Sequence, residues 1–291
     1  MNKKHFLLPS IVAPLLVATS AHSTMITSTS NFFKQADGSN NSHSINIGVD
    51  ATVIDVDVTV GYLKCDGTAN SNKTCTSGGG WGTNTYNNEL SFWLSHAGVT
   101  SSLIGGNQLS GSYSGNYVET IFDDEASAKA SGSPSNGSFK PNSPLSGFDN
   151  KSSSGLWNLG FNDSAGGDPL AVYKLTLDIT TNYDPIIDFL NFGNDLVVGN
   201  QIDFFADVDD RDGDSLLFEW DFDNDGIFEF SAQDLNIASH TFSDAGSQLV
   251  NFRVSDQYST ISSQLRLDIE SIDVPEPAGI ALFSLGILGL L

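Results

Sequence analysis

Between its two ends this chain shows no long helical periodicity; its apolar residues recur at every second position, and that alternation restricts it to folding as sheets. Ile45-Asn46-Ile47, Val53 through Val60, Leu90 to Leu94 and Tyr173 to Ile179 read as strands in the first half. In the last of these Leu175, Leu177 and Ile179 point one way, and Thr176 and Asp178 the other. Gln201 to Asp207, Leu216 to Phe222, Leu249 to Val254 and Gln264 to Ile269 repeat the pattern in the second half. Short strands joined by Gly-, Ser- and Asn-rich turns pack as antiparallel layers, so an all-β fold is expected, with one β-sandwich over 31–181 and a smaller one over 184–273.

Charge narrows the partners. The 291 residues carry 35 acidic and 12 basic side chains, a formal net charge of −23. A nucleic-acid partner needs a basic stripe, and none is present. The segment 184–273 holds 20 of the acidic residues and only Arg211, Arg253 and Arg266 as basic ones. Cys65 and Cys75 sit in a Gly/Asn/Ser/Thr-rich insertion between two strands. A disulfide is expected there over free thiols, and over a metal site, because no other Cys and no nearby His completes a ligand set.

The ends read as addresses. Residues 1–23 run from Lys3 and Lys4 through the apolar stretch Phe6 to Ala18 into small residues, the pattern of a secretory signal peptide cleaved near Ala21 or Ser23. Pro9 and Pro14 within the run argue against a buried helix. At the other end Pro275-Glu276-Pro277 precedes an uncharged stretch, Ala278 to Leu291. As a helix of about 1.5 Å per residue it would span about 21 Å, short of a bilayer core of about 30 Å. The segment 274–291 resembles the PEP-CTERM sorting signal of Gram-negative bacteria. The resemblance implies a C-terminal apolar helix that anchors the protein transiently in the membrane, an exosortase as processing partner, and delivery to the cell surface or extracellular matrix.

Two further stretches carry family likenesses. The succession Val118-Glu119-Thr120-Ile121-Phe122-Asp123-Asp124-Glu125, Phe139-Lys140-Pro141, Pro144-Leu145-Ser146-Gly147-Phe148, Gly155-Leu156-Trp157-Asn158-Leu159 and Asn162-Asp163 resembles the P domain, or P/Homo B domain, of kexin- and furin-like subtilases. That resemblance implies a jelly-roll β-sandwich without catalytic residues of its own. The phrases Phe218-Glu219-Trp220-Asp221-Phe222-Asp223, His240-Thr241-Phe242-Ser243-Asp244-Ala245-Gly246 and Val250-Asn251-Phe252-Arg253-Val254 resemble the PKD domain. An immunoglobulin-like sandwich follows from that likeness, with roles in spacing, adhesion or contact with protein and polysaccharide.

Carboxylates supply the candidate sites. Asp221, Asp223 and Asp225, followed by Gly226, have the alternate oxygen-ligand rhythm of a calcium loop. Ala232 stands where an EF-hand places its bidentate glutamate, so a helix-flanked site is excluded and Glu229 is the residue available to close a looser one. Asp209, Asp210, Asp212 and Asp214 form a second candidate. Asp123, Asp124 and Glu125 form a third, where calcium and a solvated turn are equally consistent readings. Trp157 and Phe148 read as core anchors, His240 as a structural residue at a strand entry, and His43 and His96 as isolated loop residues.

No G-x-S-x-G elbow, H-E-x-x-H helix, phosphate loop or Rossmann fingerprint occurs, and few residues precede the first strands, so no catalytic domain is expected. The expected function is that of a non-catalytic exported surface or matrix protein, with calcium as cofactor and a surface polysaccharide or protein as ligand. The alternative is an accessory of a separate subtilase, which would carry a serine-endopeptidase label without the catalytic part.

Overall fold

A computed structural model describes residues 23–77, 86–110, 115–193 and 195–272. The signal-peptide segment up to residue 22, the Pro275-Glu276-Pro277 motif and the apolar tail lie outside the described residues. Among the described residues no helix is long and apolar enough to cross a membrane. The chain is all-β and divides into two compact units, the first ending at Asp184 but also taking in Arg211–Asp214, the second formed by the rest from Pro185 on.

The first unit holds β1 (Thr24–Ala36), β2 (Ser39–Ile47), β3 (Thr52–Lys64), β4 (Gly67–Ala69), β5 (Cys75–Ser77), β6 (Leu90–His96), β7 (Val99–Ile104), β8 (Val118–Phe122), β9 (Gly137–Phe139), β10 (Gly155–Asp163) and β11 (Leu170–Asn182). One sheet runs β1-β11-β3-β8-β9 and the facing one β2-β10-β6-β7. Every pairing in the two sheets is antiparallel except that of β8 with β9. The sandwich starts earlier than residue 31, because Thr24 to Asn31 pair in register with β11 as an edge strand. Thr27-Ser28-Thr29-Ser30-Asn31 is polar at successive positions, which an edge strand permits and a hydrophobicity pattern does not reveal.

Packing follows the alternation and its interruptions. Leu175, Leu177 and Ile179 are fully buried in the interior with Val56, Val58 and Val60 of β3. A bulge between Val172 and Lys174 changes the parity of β11. Consequently Ala171 and Tyr173 turn to the opposite face, where they bury Leu63, Cys65 and Ala69. Trp157 and Phe148 are 0% exposed, with ring centroids 5.2 Å apart. Cys65 and Cys75 are joined by a disulfide that closes the β4–β5 hairpin.

The second unit comprises β12 (Ile186–Phe192), β13 (Gln201–Asp209), β14 (Leu217–Asp221), β15 (Phe230–Gln233), β16 (Ile237–Thr241), β17 (Gly246–Ser255) and β18 (Thr260–Ile269). The sheets β12-β13-β16 and β15-β14-β17-β18 enclose Phe204, Trp220, Phe222, Val250, Phe252 and Val254. Trp220 lies 4.6 Å from Phe252 and 5.4 Å from Phe204, bridging the two layers with its ring.

Candidate metal centre

The acidic loop of the second unit is the connection between β14 and β15. Asp221 is the last residue of β14; it continues the inward phase of Phe218 and Trp220 imperfectly and ends fully buried. Asn224 and Gly226 take left-handed backbone, φ +58° and +89°, which lets the chain reverse within a few residues. The hairpin then brings Glu229 back beside the strand it left, where its Oε2 accepts from the Phe222 N–H at 2.7 Å. Asp221, Asp223, Asp225 and Glu229 each present a carboxylate oxygen within 4.8 Å of the others. The return of the strand thus supplies the fourth carboxylate that a glutamate eleven positions after the first ligand would supply between helices.

Hydrogen bonds preset this cluster. Asp221 Oδ2 accepts from Gly226 N–H at 3.0 Å and Asn251 Nδ2 at 3.1 Å, and its Oδ1 from Asp225 N–H at 3.2 Å. Asp225 Oδ1 accepts from Ile227 N–H at 2.8 Å. Burial by itself would raise the Asp221 pKa, but the donors from Asn251, Gly226, Asn224 and Asp225 together outweigh it and hold the carboxyl below its usual range. An oxygen-only donor set of this kind fits a hard cation. His240 stays out of the cluster: it stacks on Phe222 at 4.4 Å, and burial lowers its pKa against the opposing pull of Glu229 and Asp223.

The remaining candidates fare differently. Asp209 closes β13 and Asp210 follows it in the second unit, whereas Asp212 and Asp214 fall in the segment Arg211–Asp214 that belongs to the first, so the four do not form one group within a single unit. Asp123, Asp124 and Glu125 do not converge as a ligand group among the described residues. Asp124 instead accepts from Leu145 and Ser146 N–H at 3.0 and 2.9 Å, and Asp123 from Glu125 N–H and Ser138 Oγ. These are turn and capping bonds. His43 and His96 are not loop residues. His43 lies on β2 and stacks on Phe32, and His96 ends β6, buried against Trp157 at 3.9 Å.

Two features escaped the sequence reading. The first is an acidic outer face on the first sandwich. Asp55 and Asp57 lie one strand repeat apart on β3, and Asp57 pairs directly with Asp178 of β11. Burial, then Asp55, Asp123, Asp178 and Glu125, push the Asp57 carboxyl up to about 7; burial, then Asp55 and Asp124, push Asp149 up to about 6. The second is a buried group formed by Lys64, Glu89, Asp163 and Asp168. Lys64, Glu89 and the Asp163/Asp168 segment are far apart in sequence, and only the tertiary fold unites them.

The model of the PKD domain matches residues 191–269. No curated protein matches the chain. Among solved structures, the PKD1 domain of Vibrio anguillarum Epp is 22% identical, with 31% of this chain and 98% of that one covered and a TM-score of 0.25. The PKD domain of an M14-like peptidase from a Thermoplasmatales archaeon is 19% identical over the same shares, also at 0.25. A β-glycosidase from Bacteroides vulgatus is 7% identical, with 79% of this chain and 25% of that one covered and a TM-score of 0.24. Residues 191–269 match the PKD domain and fold as a two-sheet β-sandwich.

Proposed function

We propose that the protein is a non-catalytic exported surface or matrix protein whose PKD domain binds calcium through Asp221, Asp223, Asp225 and Glu229 and serves in adhesion to a surface polysaccharide or protein. The convergence of those four carboxylates in one hairpin, with Asp221 held ionised by its donors, is the observation that carries the reading. Calcium is favoured over magnesium because four carboxylates on one hairpin offer the many oxygen ligands calcium takes, where magnesium demands near-octahedral geometry and keeps its waters. In the first unit, leaving out the short β4, β5 and β9, the strands fall in the order 1-8-3-6 and 2-7-4-5. That order supports a jelly roll of two Greek keys and, with it, the likeness to a P domain. Export by a signal peptide and exosortase processing at Pro275-Glu276-Pro277 belong to the same proposal and rest on the sequence of the two ends.

The experiment is a thermal melt of the full chain with calcium, magnesium or chelator, together with calorimetric titration. Ligand in hundredfold excess over Kd stabilises by about 2.7 kcal/mol, so calcium is expected to raise the Tm and chelator to remove the gain. The D221N variant should lose the calorimetric signal. An unchanged Tm and no heat of binding in millimolar calcium would sink the proposal. Loss of surface delivery in cells lacking an exosortase tests the address separately.

A further inference from the structure

Lys64 is the last residue of β3, in the five-stranded sheet, and Asp163 the last of β10, in the facing sheet. Their side chains meet between the layers, both 0% exposed, with Lys64 Nζ 2.6 Å from Asp163 Oδ2. Asp168 Oδ2 and Glu89 Oε2 stand 3.2 and 3.5 Å from the same nitrogen, nearer the surface, with side chains 10% and 17% exposed. One oxygen of Asp163 is fully engaged, since Oδ2 also accepts from Leu170 N–H at 3.0 Å. The other, Oδ1, is buried and has no hydrogen-bond partner. An orphaned carboxylate oxygen in a dry site costs free energy, and the Lys64 ammonium approaches only its sister atom.

We propose that Lys64 and Asp163 are joined by an intramolecular isopeptide bond, formed in the folded protein with loss of one water. The Nζ–Cγ bond forms, the Cγ–Oδ1 bond breaks, and the two protons shed by the ammonium leave with that oxygen as water, so no oxidant or second substrate is required. Oδ2 remains as the amide oxygen, with the Leu170 N–H placed to stabilise the charge that develops on it. Asp168 and Glu89 are within reach of the ammonium to take its proton. Burial supports the electrophile's role: it pushes the Asp163 carboxyl up to about 6 against the opposing pull of Lys64, toward the neutral acid that an amine attacks. Enclosure also holds nucleophile and acid at fixed separation and keeps out the water that would reverse the reaction. The product would staple one sheet of the sandwich to the other, next to the Cys65–Cys75 disulfide that secures the adjacent hairpin.

Mass spectrometry of the full chain, denatured and reduced, tests this directly. The wild-type protein is expected one water lighter than its sequence mass, with the deficit carried by a single branched peptide containing both Lys64 and Asp163. The E89Q/D168N variant, showing the wild-type circular dichroism spectrum, is expected at full mass, and K64M likewise. A wild-type chain at full mass after prolonged incubation in the folded state overturns the proposal and leaves a buried ion pair. So does a missing water mapped to any other pair of residues.

Discussion

Asp57 shows how a single side chain can be stable in place and costly in charge. It faces Asp178 across the β3–β11 ladder, and like charges directly opposite on a sheet are destabilising. Its pKa is raised in the folded protein, so the native state binds the extra proton, and the stability associated with it is present below about pH 4 and lost as pH rises toward about 7. The D57N variant is therefore expected to be more stable than wild type at pH 8, by about 1 kcal/mol after solvent screening, and indistinguishable from it near pH 4. Urea unfolding at both pH values measures this, and equal gains at both would contradict the repulsion. Residue chemistry of this kind was only half legible. Asp123, Asp124 and Glu125 stand out as a run, but the strand register is what faces Asp57 with Asp178.

At the scale of elements, β10 and β6 show packing that tolerates no added atom. Gly160 pairs with Trp93 across the ladder, and a Cβ at that glycine would collide with the Trp93 indole. The G160A variant is expected to lose about 1–3 kcal/mol, the usual cost of overpacking, with a normal denaturant m-value if the sheet survives. A loss below a few tenths of a kcal/mol would mean that the indole moves aside freely. The central strands were readable from Val, Ile and Leu at alternate positions. By contrast β1, β12 and β16 pair through polar or mixed sequence, and their placement depends on the neighbour that accepts their hydrogen bonds. The β14–β15 loop was legible for a different reason: all four carboxylates fall within nine consecutive residues, 221–229.

For the molecule as a whole, a formal charge of −23, most of it carried by residues 184–273, acts as a self-repulsion that favours solubility and opposes compactness. Monovalent salt screens it, so raising sodium chloride from about 10 mM to about 0.5 M should raise the Tm by several degrees in the presence of chelator. A flat response would show that the carboxylates are neutralised locally, by partners or protons, and that net charge is not felt. The order of residues along the chain determined the all-β class and set the carboxylates of the acidic hairpin close together, because each depends on residues near one another in sequence. Tertiary structure decided the enclosure of Lys64 with Glu89, Asp163 and Asp168, the orphaned oxygen between them and the acidic outer face of β3. Those arise only when strands distant in sequence are laid side by side, since strand order and register set which side chains meet, and no local pattern encodes either.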